Sequence, residues 1–165
     1  MEERLVKVGI THGDINGIGY EVILKTLSDT RITELCTPVI YGSSKIAAYH
    51  RKALELPAVN LSIIAQAEDA GVNRVNVINC VDDETKVELC QSTTVAGEAA
   101  YLALEAAVTD LKRGAVDVLV TAPINKHNIQ NEQFHFPGHT EYLEQCFGGL
   151  GKKACLLYTS PSPRD

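Results

Sequence analysis

The sequence VLVTAPINKHNIQNEQFHFPGHTE, residues 118–141, decides the fold, because a short apolar run in it passes directly into a dense polar segment. Val118, Leu119 and Val120 have the apolar, β-branched character of a buried strand. Pro123 ends this pattern, because proline has no N–H for the ladder and biases the preceding residue towards extended geometry. The polar segment therefore begins at the carboxyl end of a strand, where open α/β sheets bind their ligands.

Upstream of this stretch, strand-like and helix-like segments alternate along the chain. Apolar runs predict strands at residues 5–10, 37–41, 59–64, 74–80 and 116–120, and a further strand is predicted to begin at residues 154–158. Helical periodicity and capping residues predict helices at residues 20–27, 45–56, 95–112 and 140–147. This alternation predicts an α/β fold with a largely parallel sheet, and leaves room for antiparallel pairing around residues 59–80.

Composition limits the classes of partner. With 165 residues and 45% hydrophobic content, the chain can form one domain with a substantial core, or part of something larger. The net charge of -6 without a basic stripe argues against nucleic acid or a membrane surface as the main partner. The amino terminus lacks the apolar region of a signal peptide, which favours the cytoplasm. Five cysteines without a C-x-x-C spacing indicate neither a zinc knuckle nor a disulfide framework.

A glycine-rich segment, THGDINGIGYE at residues 11–21, follows the first predicted strand and leads into a helix. Gly13, Gly17 and Gly19 have the spacing G-x3-G-x-G, which is neither the dinucleotide fingerprint nor a P-loop. Two interpretations are open: a structural tight turn, or a loop near a ligand whose helix N-terminus holds an anion. Asp14 in this loop can likewise brace its own turn or orient a ligand.

The polar segment after residue 120 contains the candidate binding residues. His139 can be a substrate contact, a general base or a surface histidine, and Lys126 can neutralise a phosphate or carboxylate or be an exposed loop lysine. His135 and His139 have the spacing of helical metal ligands. Pro137 and Gly138 between them argue against a helix, and therefore against a metal role for the pair.

Three stretches together resemble one family, the 4-hydroxythreonine-4-phosphate dehydrogenases of pyridoxal phosphate biosynthesis. They are THGDINGIGYE, LVTAPINKHNI and FPGHTEYLE, at residues 11–21, 119–129 and 136–144. The family's first motif usually reads T-P-G-D-P-x-G-I-G-P-E, so His12, Ile15 and Tyr20 stand where prolines are common. His12 could face either a ligand or solvent. Asp14 and the motif glycines are retained.

The resemblance implies a fold and an activity. The implied fold is a truncated α/β/α sandwich of the isocitrate and isopropylmalate dehydrogenase type, with residues 1–157 as the N-terminal part of a two-domain enzyme. Residues 158–165, YTSPSPRD, are expected to be a non-native or disordered tail. The implied reaction is NAD-dependent oxidation and decarboxylation of 4-phosphooxy-threonine to 3-amino-2-oxopropyl phosphate, by a cytoplasmic homodimer whose site lies near the subunit interface.

The resemblance also assigns residues. His139 and Thr140 match the family's substrate-binding pair, with Lys126 as a further candidate, while Asp14, Gly17 and Gly19 are expected near the ligand. The family's metal-ligating histidines all lie downstream, so the divalent cation, which could be zinc, magnesium or cobalt, would have no ligand within this chain. The catalytic residues are not assigned, and the chain alone is expected to be inactive.

Other functions are compatible with the same motifs. A related dehydrogenase of threonate or erythronate phosphate would use the same apparatus. A phosphate acyltransferase of related fold would need neither NAD nor the downstream histidines, and a binding module would hold a phosphorylated ligand without turnover.

Overall fold

The computed structural model describes residues 4–149 and Lys153, which form an α/β sandwich around one parallel sheet. The strands are β1 (Val6–Thr11), β2 (Cys36–Gly42), β3 (Leu61–Ile64), β4 (Val75–Asn79) and β5 (Val118–Thr121). The helices are α1 (Gly19–Leu27), α2 (Arg31–Leu35), α3 (Ser44–Ala53), α4 (Thr94–Lys112) and α5 (His139–Phe147). Every predicted element within the described residues is present, and the short helix α2 was not predicted. The strand predicted at residues 154–158 and the tail lie outside the described residues.

The strand order is β3-β4-β2-β1-β5, and all neighbouring strands are parallel. The antiparallel pairing considered around residues 59–80 is therefore wrong, because β3 and β4 pair in parallel with Leu61 opposite Val75. The connection at residues 65–74, which includes the 3-10 turn Ala67–Asp69, returns the chain to the end of the sheet where β3 began. A parallel pair needs such a return, whereas an antiparallel pair needs only a tight turn.

Helices cover both faces of the sheet because the residues of β2 alternate between two cores. Val39 and Tyr41 pack against α4, while Ile40 packs against α1 on the opposite face. Side-chain caps mark the starts of α3 and α4. The Ser43 hydroxyl accepts from the backbone N–H of α3, and the Thr93 hydroxyl accepts from that of α4. Both caps confirm the helix starts expected from the sequence.

Strand β5 is less buried than its sequence predicts. Val118 and Val120 are 44% and 52% exposed, because β5 is the edge strand and α4 covers only its other face, through Leu119. An apolar groove of about 180 Å³ lies beside the exposed face, lined by side chains of β1, α1 and β5. None of the helices in the described part of the chain is both long and apolar enough to cross a lipid bilayer.

Candidate functional site

The glycine-rich loop and the turn after β5 lie side by side, because β1 and β5 are neighbours in the sheet. The Asp14 N–H donates to the Pro123 carbonyl oxygen at 2.9 Å. Gly13 has φ +69°, and a Cβ on it would stand 2.3 Å from the same oxygen. Only glycine fits this position, both for its backbone conformation and for the contact. The first glycine of the motif therefore joins the two sequence stretches into one surface.

The glycine-rich loop is braced internally. The Asp14 carboxylate accepts from the Asn16 N–H at 2.9 Å, and the Asp14 carbonyl oxygen accepts from the Gly17 N–H at 3.1 Å. These amides are satisfied within the loop, so they are not free to hold a phosphate in this conformation. Gly17 is exposed at the tip, whereas Gly19 is buried, and a Cβ on it would stand 2.1 Å from the His12 carbonyl oxygen. The loop is thus a close-packed connection beside the site.

His12 is completely buried, so neither the ligand-facing nor the solvent-facing interpretation is correct. Its ring stacks on Tyr20 with centroids 5.3 Å apart, and Tyr20 stacks in turn on His50 at 5.2 Å. Gly42 makes room for the stack, since a Cβ there would lie 2.6 Å from the His12 ring. Burial lowers the pKa of His12 to about 4. Two of the residues that replace the family's prolines are therefore packing partners of each other.

Lys126 lies in a turn that is closed by its neighbour. The Asn125 side-chain oxygen accepts from the His127 N–H at 3.0 Å, and the Asn125 carbonyl oxygen accepts from the Ile129 N–H at 3.2 Å. Lys126 itself is exposed, and its ammonium group forms no ion pair within residues 4–149. The turn thus presents a cation at the carboxyl end of the sheet.

Helix α5 begins at His139, and its first turn faces the Lys126 side chain. A Cβ on Gly138 would lie 3.9 Å from the Lys126 Cε and 3.6 Å from a carboxylate oxygen of Glu141. The Nε2 atom of His139 is buried without a hydrogen-bond partner among the described residues. Burial, and secondly the charge of Lys126, lower the pKa of His139. Thr140 is half-buried in the same helical turn.

This arrangement suits an anionic group. The first backbone N–H groups of α5 have no side-chain cap, and the end of the Lys126 side chain lies beside Gly138, the residue that precedes the helix. A helix N-terminus beside a lysine binds phosphate or carboxylate. A neutral His139 can donate one hydrogen bond to such a group. The structure therefore brings together His139, Thr140 and Lys126, the three residues predicted to bind substrate.

The described residues do not fit a metal ion. No group of three histidine, cysteine, aspartate or glutamate side chains within them lies close enough together to hold one. His135 is exposed and lies before α5, so it does not share a helix face with His139.

A segment that the sequence did not single out links the two halves of the site. Residues 88–93 bind Asn16 of the glycine-rich loop, and Ser92 accepts a hydrogen bond from the Asn125 amide at 3.1 Å. The sequence around Asn16 shows only a polar residue between Gly13 and Gly17, which does not indicate a structural role. The partners of Asn16 are 72 or more positions away, which no local pattern indicates.

Known proteins resemble this chain along most of its length. A family model described as pyridoxal phosphate biosynthetic protein PdxA matches residues 34–162. A 4-hydroxythreonine-4-phosphate dehydrogenase of Bacteroides thetaiotaomicron is 58% identical over 157 residues, which are 95% of this chain and 43% of the relative. A protein of Clostridium botulinum, provisionally named D-threonate 4-phosphate dehydrogenase, is 32% identical over 82% of this chain and 41% of its own length.

Solved structures show the same fold. The crystal structure of a 4-hydroxythreonine-4-phosphate dehydrogenase from Burkholderia phymatum matches with a TM-score of 0.78 and 29% identity, over 88% of this chain and 44% of that one. The enzyme of that name from Klebsiella pneumoniae matches with a TM-score of 0.77 and 27% identity, over 86% of this chain and 44% of the other. The chain thus spans less than half the length of these relatives.

Proposed function

Because this chain belongs to the PdxA family of pyridoxal phosphate biosynthetic proteins, we propose that the full-length protein is an NAD-dependent dehydrogenase of a phosphorylated amino acid. Its substrate would be 4-phosphooxy-threonine. Oxidation of the secondary alcohol and loss of the carboxylate as carbon dioxide would give 3-amino-2-oxopropyl phosphate for vitamin B6 synthesis. The observation that carries this proposal is the proximity of Lys126 and His139 at the start of α5. The chain that contains them is 58% identical to a 4-hydroxythreonine-4-phosphate dehydrogenase.

The part of the reaction assigned to this chain is substrate binding. The Lys126 ammonium and the N-terminus of α5 would neutralise an anionic group of the substrate. Thr140 would contribute a hydroxyl, and His139 would donate from its buried Nε2 atom. Neutral imidazole is the form favoured at pH 7, since both burial and the neighbouring cation lower the pKa of His139. The anion would supply the partner that the His139 Nε2 atom otherwise lacks.

The remaining machinery lies beyond the described residues in this proposal. NAD would accept the hydride, and a divalent metal would be held by histidines downstream of this chain. The enzyme would be a cytoplasmic homodimer, with the site near the subunit interface. The present chain alone would therefore be inactive, although it contributes the substrate-binding residues.

A second candidate is a dehydrogenase of a phosphorylated sugar acid such as D-threonate 4-phosphate. The similarity to the Clostridium botulinum protein favours it. Threonate phosphate has a hydroxyl where 4-phosphooxy-threonine has an amino group. The same phosphate and carboxylate contacts would serve both substrates, so the described site does not discriminate between them.

The test is an assay of the full-length protein with NAD, a divalent metal and each phosphorylated substrate, in which NADH formation is measured by its absorbance. We expect NADH with 4-phosphooxy-threonine, and a kcat/KM at least about tenfold lower after Lys126→Ala or His139→Ala, which is the loss of one charge-assisted hydrogen bond. The matched control His127→Ala alters an exposed neighbour in the same turn and should retain activity. NADH formation with threonate phosphate alone would favour the second candidate, and none with either substrate would exclude both.

A further inference from the structure

Asn16 makes more long-range hydrogen bonds than a loop residue needs for its own turn. Its side chain is 3% exposed. The amide nitrogen donates to the Gln91 carbonyl oxygen at 2.9 Å and to the Thr93 hydroxyl at 3.1 Å, and the amide oxygen accepts from the Glu88 N–H at 2.8 Å. The Asn16 carbonyl oxygen accepts from the Cys90 N–H at 3.0 Å. One residue thus fixes residues 88–93 onto the glycine-rich loop.

The fixed segment reaches the substrate-binding turn through one contact. Ser92 lies between two of the residues that Asn16 binds, and its hydroxyl accepts from the Asn125 amide nitrogen at 3.1 Å. The other end of that amide, its oxygen, accepts the His127 N–H and closes the turn that carries Lys126. The orientation of the Asn125 amide is therefore set at both ends, by Ser92 on one side and by the turn on the other.

We propose that Asn16 is a positioning residue for the anion-binding site: through residues 88–93 and Ser92 it holds the Asn125 turn, and thereby the Lys126 ammonium, against the start of α5. This inference rests on the proposed function and extends it, because Asn16 touches neither Lys126 nor His139. It assigns a role to Asn16 within the glycine-rich motif, and it makes the glycine-rich loop a support of the substrate site.

The consequence is a coupling that a purely structural role would not produce. Removing the Asn16 amide should loosen the Lys126 turn and weaken binding of a phosphorylated substrate, and the loss should disappear when Lys126 is already absent. A structural role would lower the unfolding midpoint and leave the affinity of the folded protein unchanged. The two roles therefore differ in ligand affinity and its dependence on Lys126.

The experiment is calorimetric titration of full-length protein with 4-phosphooxy-threonine, for Asn16→Ala, Ser92→Ala, Lys126→Ala and the double variants that pair Asn16→Ala with each of the others. We expect Asn16→Ala and Ser92→Ala each to raise Kd about three- to tenfold. Adding Asn16→Ala to Ser92→Ala or to Lys126→Ala should raise Kd little beyond the value of that single variant. In the dehydrogenase assay, KM for this substrate should rise while KM for NAD stays unchanged.

A matched control is available in Asn76→Ala. The Asn76 amide is also buried and also binds backbone groups, donating to the Pro38 and Gly71 carbonyl oxygens at 3.1 and 3.0 Å. It lies on β4, which β2 and β1 separate from β5. Asn76→Ala should lower stability without changing Kd for the phosphorylated substrate.

Two outcomes separate this inference from the proposed function. Unchanged Kd in both Asn16→Ala and Ser92→Ala, with an active wild-type enzyme, would overturn the inference and leave the proposed function intact. Wild-type protein that neither binds nor oxidises the substrate would instead remove the proposed function. If Asn16→Ala does not fold, Asn16→Asp, which keeps the acceptor for the Glu88 N–H, and the exposed Ser92→Ala supply the same comparison.

Discussion

Gly97 of α4 lies against the Asn128 carbonyl oxygen so closely that a Cβ at position 97 would stand 1.8 Å from that oxygen. The turn that carries Lys126 therefore packs directly against α4. Helix α4 also covers the sheet through β1, β2 and β5. The turn that carries Lys126 is thus supported by the sheet edge below it and by the helix beside it.

This contact predicts that Gly97→Ala is destabilising. Helix propensity alone would make the substitution stabilising by about 1 kcal/mol in a helix interior. The overlap with Asn128 instead requires the helix or the turn to move, and we expect a loss of about 2 kcal/mol or more in the free energy of unfolding. Urea unfolding of the full-length protein measures it. Gly17→Ala is the control, because a Cβ at position 17 would lie no closer than 3.5 Å to any neighbouring atom, which is ordinary van der Waals contact. Equal midpoints for the two variants would contradict the contact.

A second prediction concerns pH. Burial lowers the pKa of His12 to about 4 from its ordinary value of 6.5, so the unfolded chain binds more protons than the folded protein between these values. Stability should therefore fall as pH drops from 6.5 towards 4, by up to about 3 kcal/mol from this residue. His12→Phe keeps a ring against Tyr20 and cannot titrate.

The measurement is the unfolding midpoint of the full-length protein and of His12→Phe at pH 7, 6 and 5. We expect the variant to lose less stability on acidification than the wild type. His139 titrates in both proteins, so the comparison reports the loss of the His12 imidazole together with its charge repulsion with His50. Parallel pH profiles for the two proteins would show that His12 does not remain neutral in the folded state.

A third prediction concerns the buried pair of Tyr41 and Asp110. The Tyr41 hydroxyl donates to one carboxylate oxygen of Asp110 at 2.6 Å, and Arg113 donates to the other at 2.8 Å. Tyr41→Phe leaves a buried carboxylate oxygen without its donor, and should cost about 1 to 3 kcal/mol. Tyr49→Phe changes a 45% exposed ring and serves as the control. Urea unfolding should separate the two variants clearly; indistinguishable midpoints would contradict this role for the hydroxyl.

The sequence predicted the parallel architecture because its main signals are local. Pro123, the Thr93 cap and the apolar runs each act within a few residues, and the structure has the elements that they indicate. How far each strand is buried depends on elements that are distant in the sequence. Val118 and Val120 read as buried, but their exposure depends on β5 being the edge strand, which only the strand order reveals.

The candidate site shows the same division. The prediction that His139, Thr140 and Lys126 bind substrate rests on motifs that each lie within one short stretch. The burial of His12 could not be predicted, because it depends on the absence of a side chain at Gly42, in another strand. Asn16 was missed for a similar reason, since its role depends on bonds to residues 88–93. Long-range packing, rather than local propensity, decides such positions.

The central claim is that Lys126 binds the anionic substrate beside the start of α5. The most direct measurement is the Kd of full-length protein for 4-phosphooxy-threonine, by calorimetry, in the wild type and in Lys126→Ala. Lys25→Ala is the matched control, because it removes a cation from helix α1, where Lys25 pairs with Glu21. Lys126→Ala should bind at least about tenfold more weakly, while the control keeps the wild-type Kd. An unchanged Kd in Lys126→Ala would contradict the account.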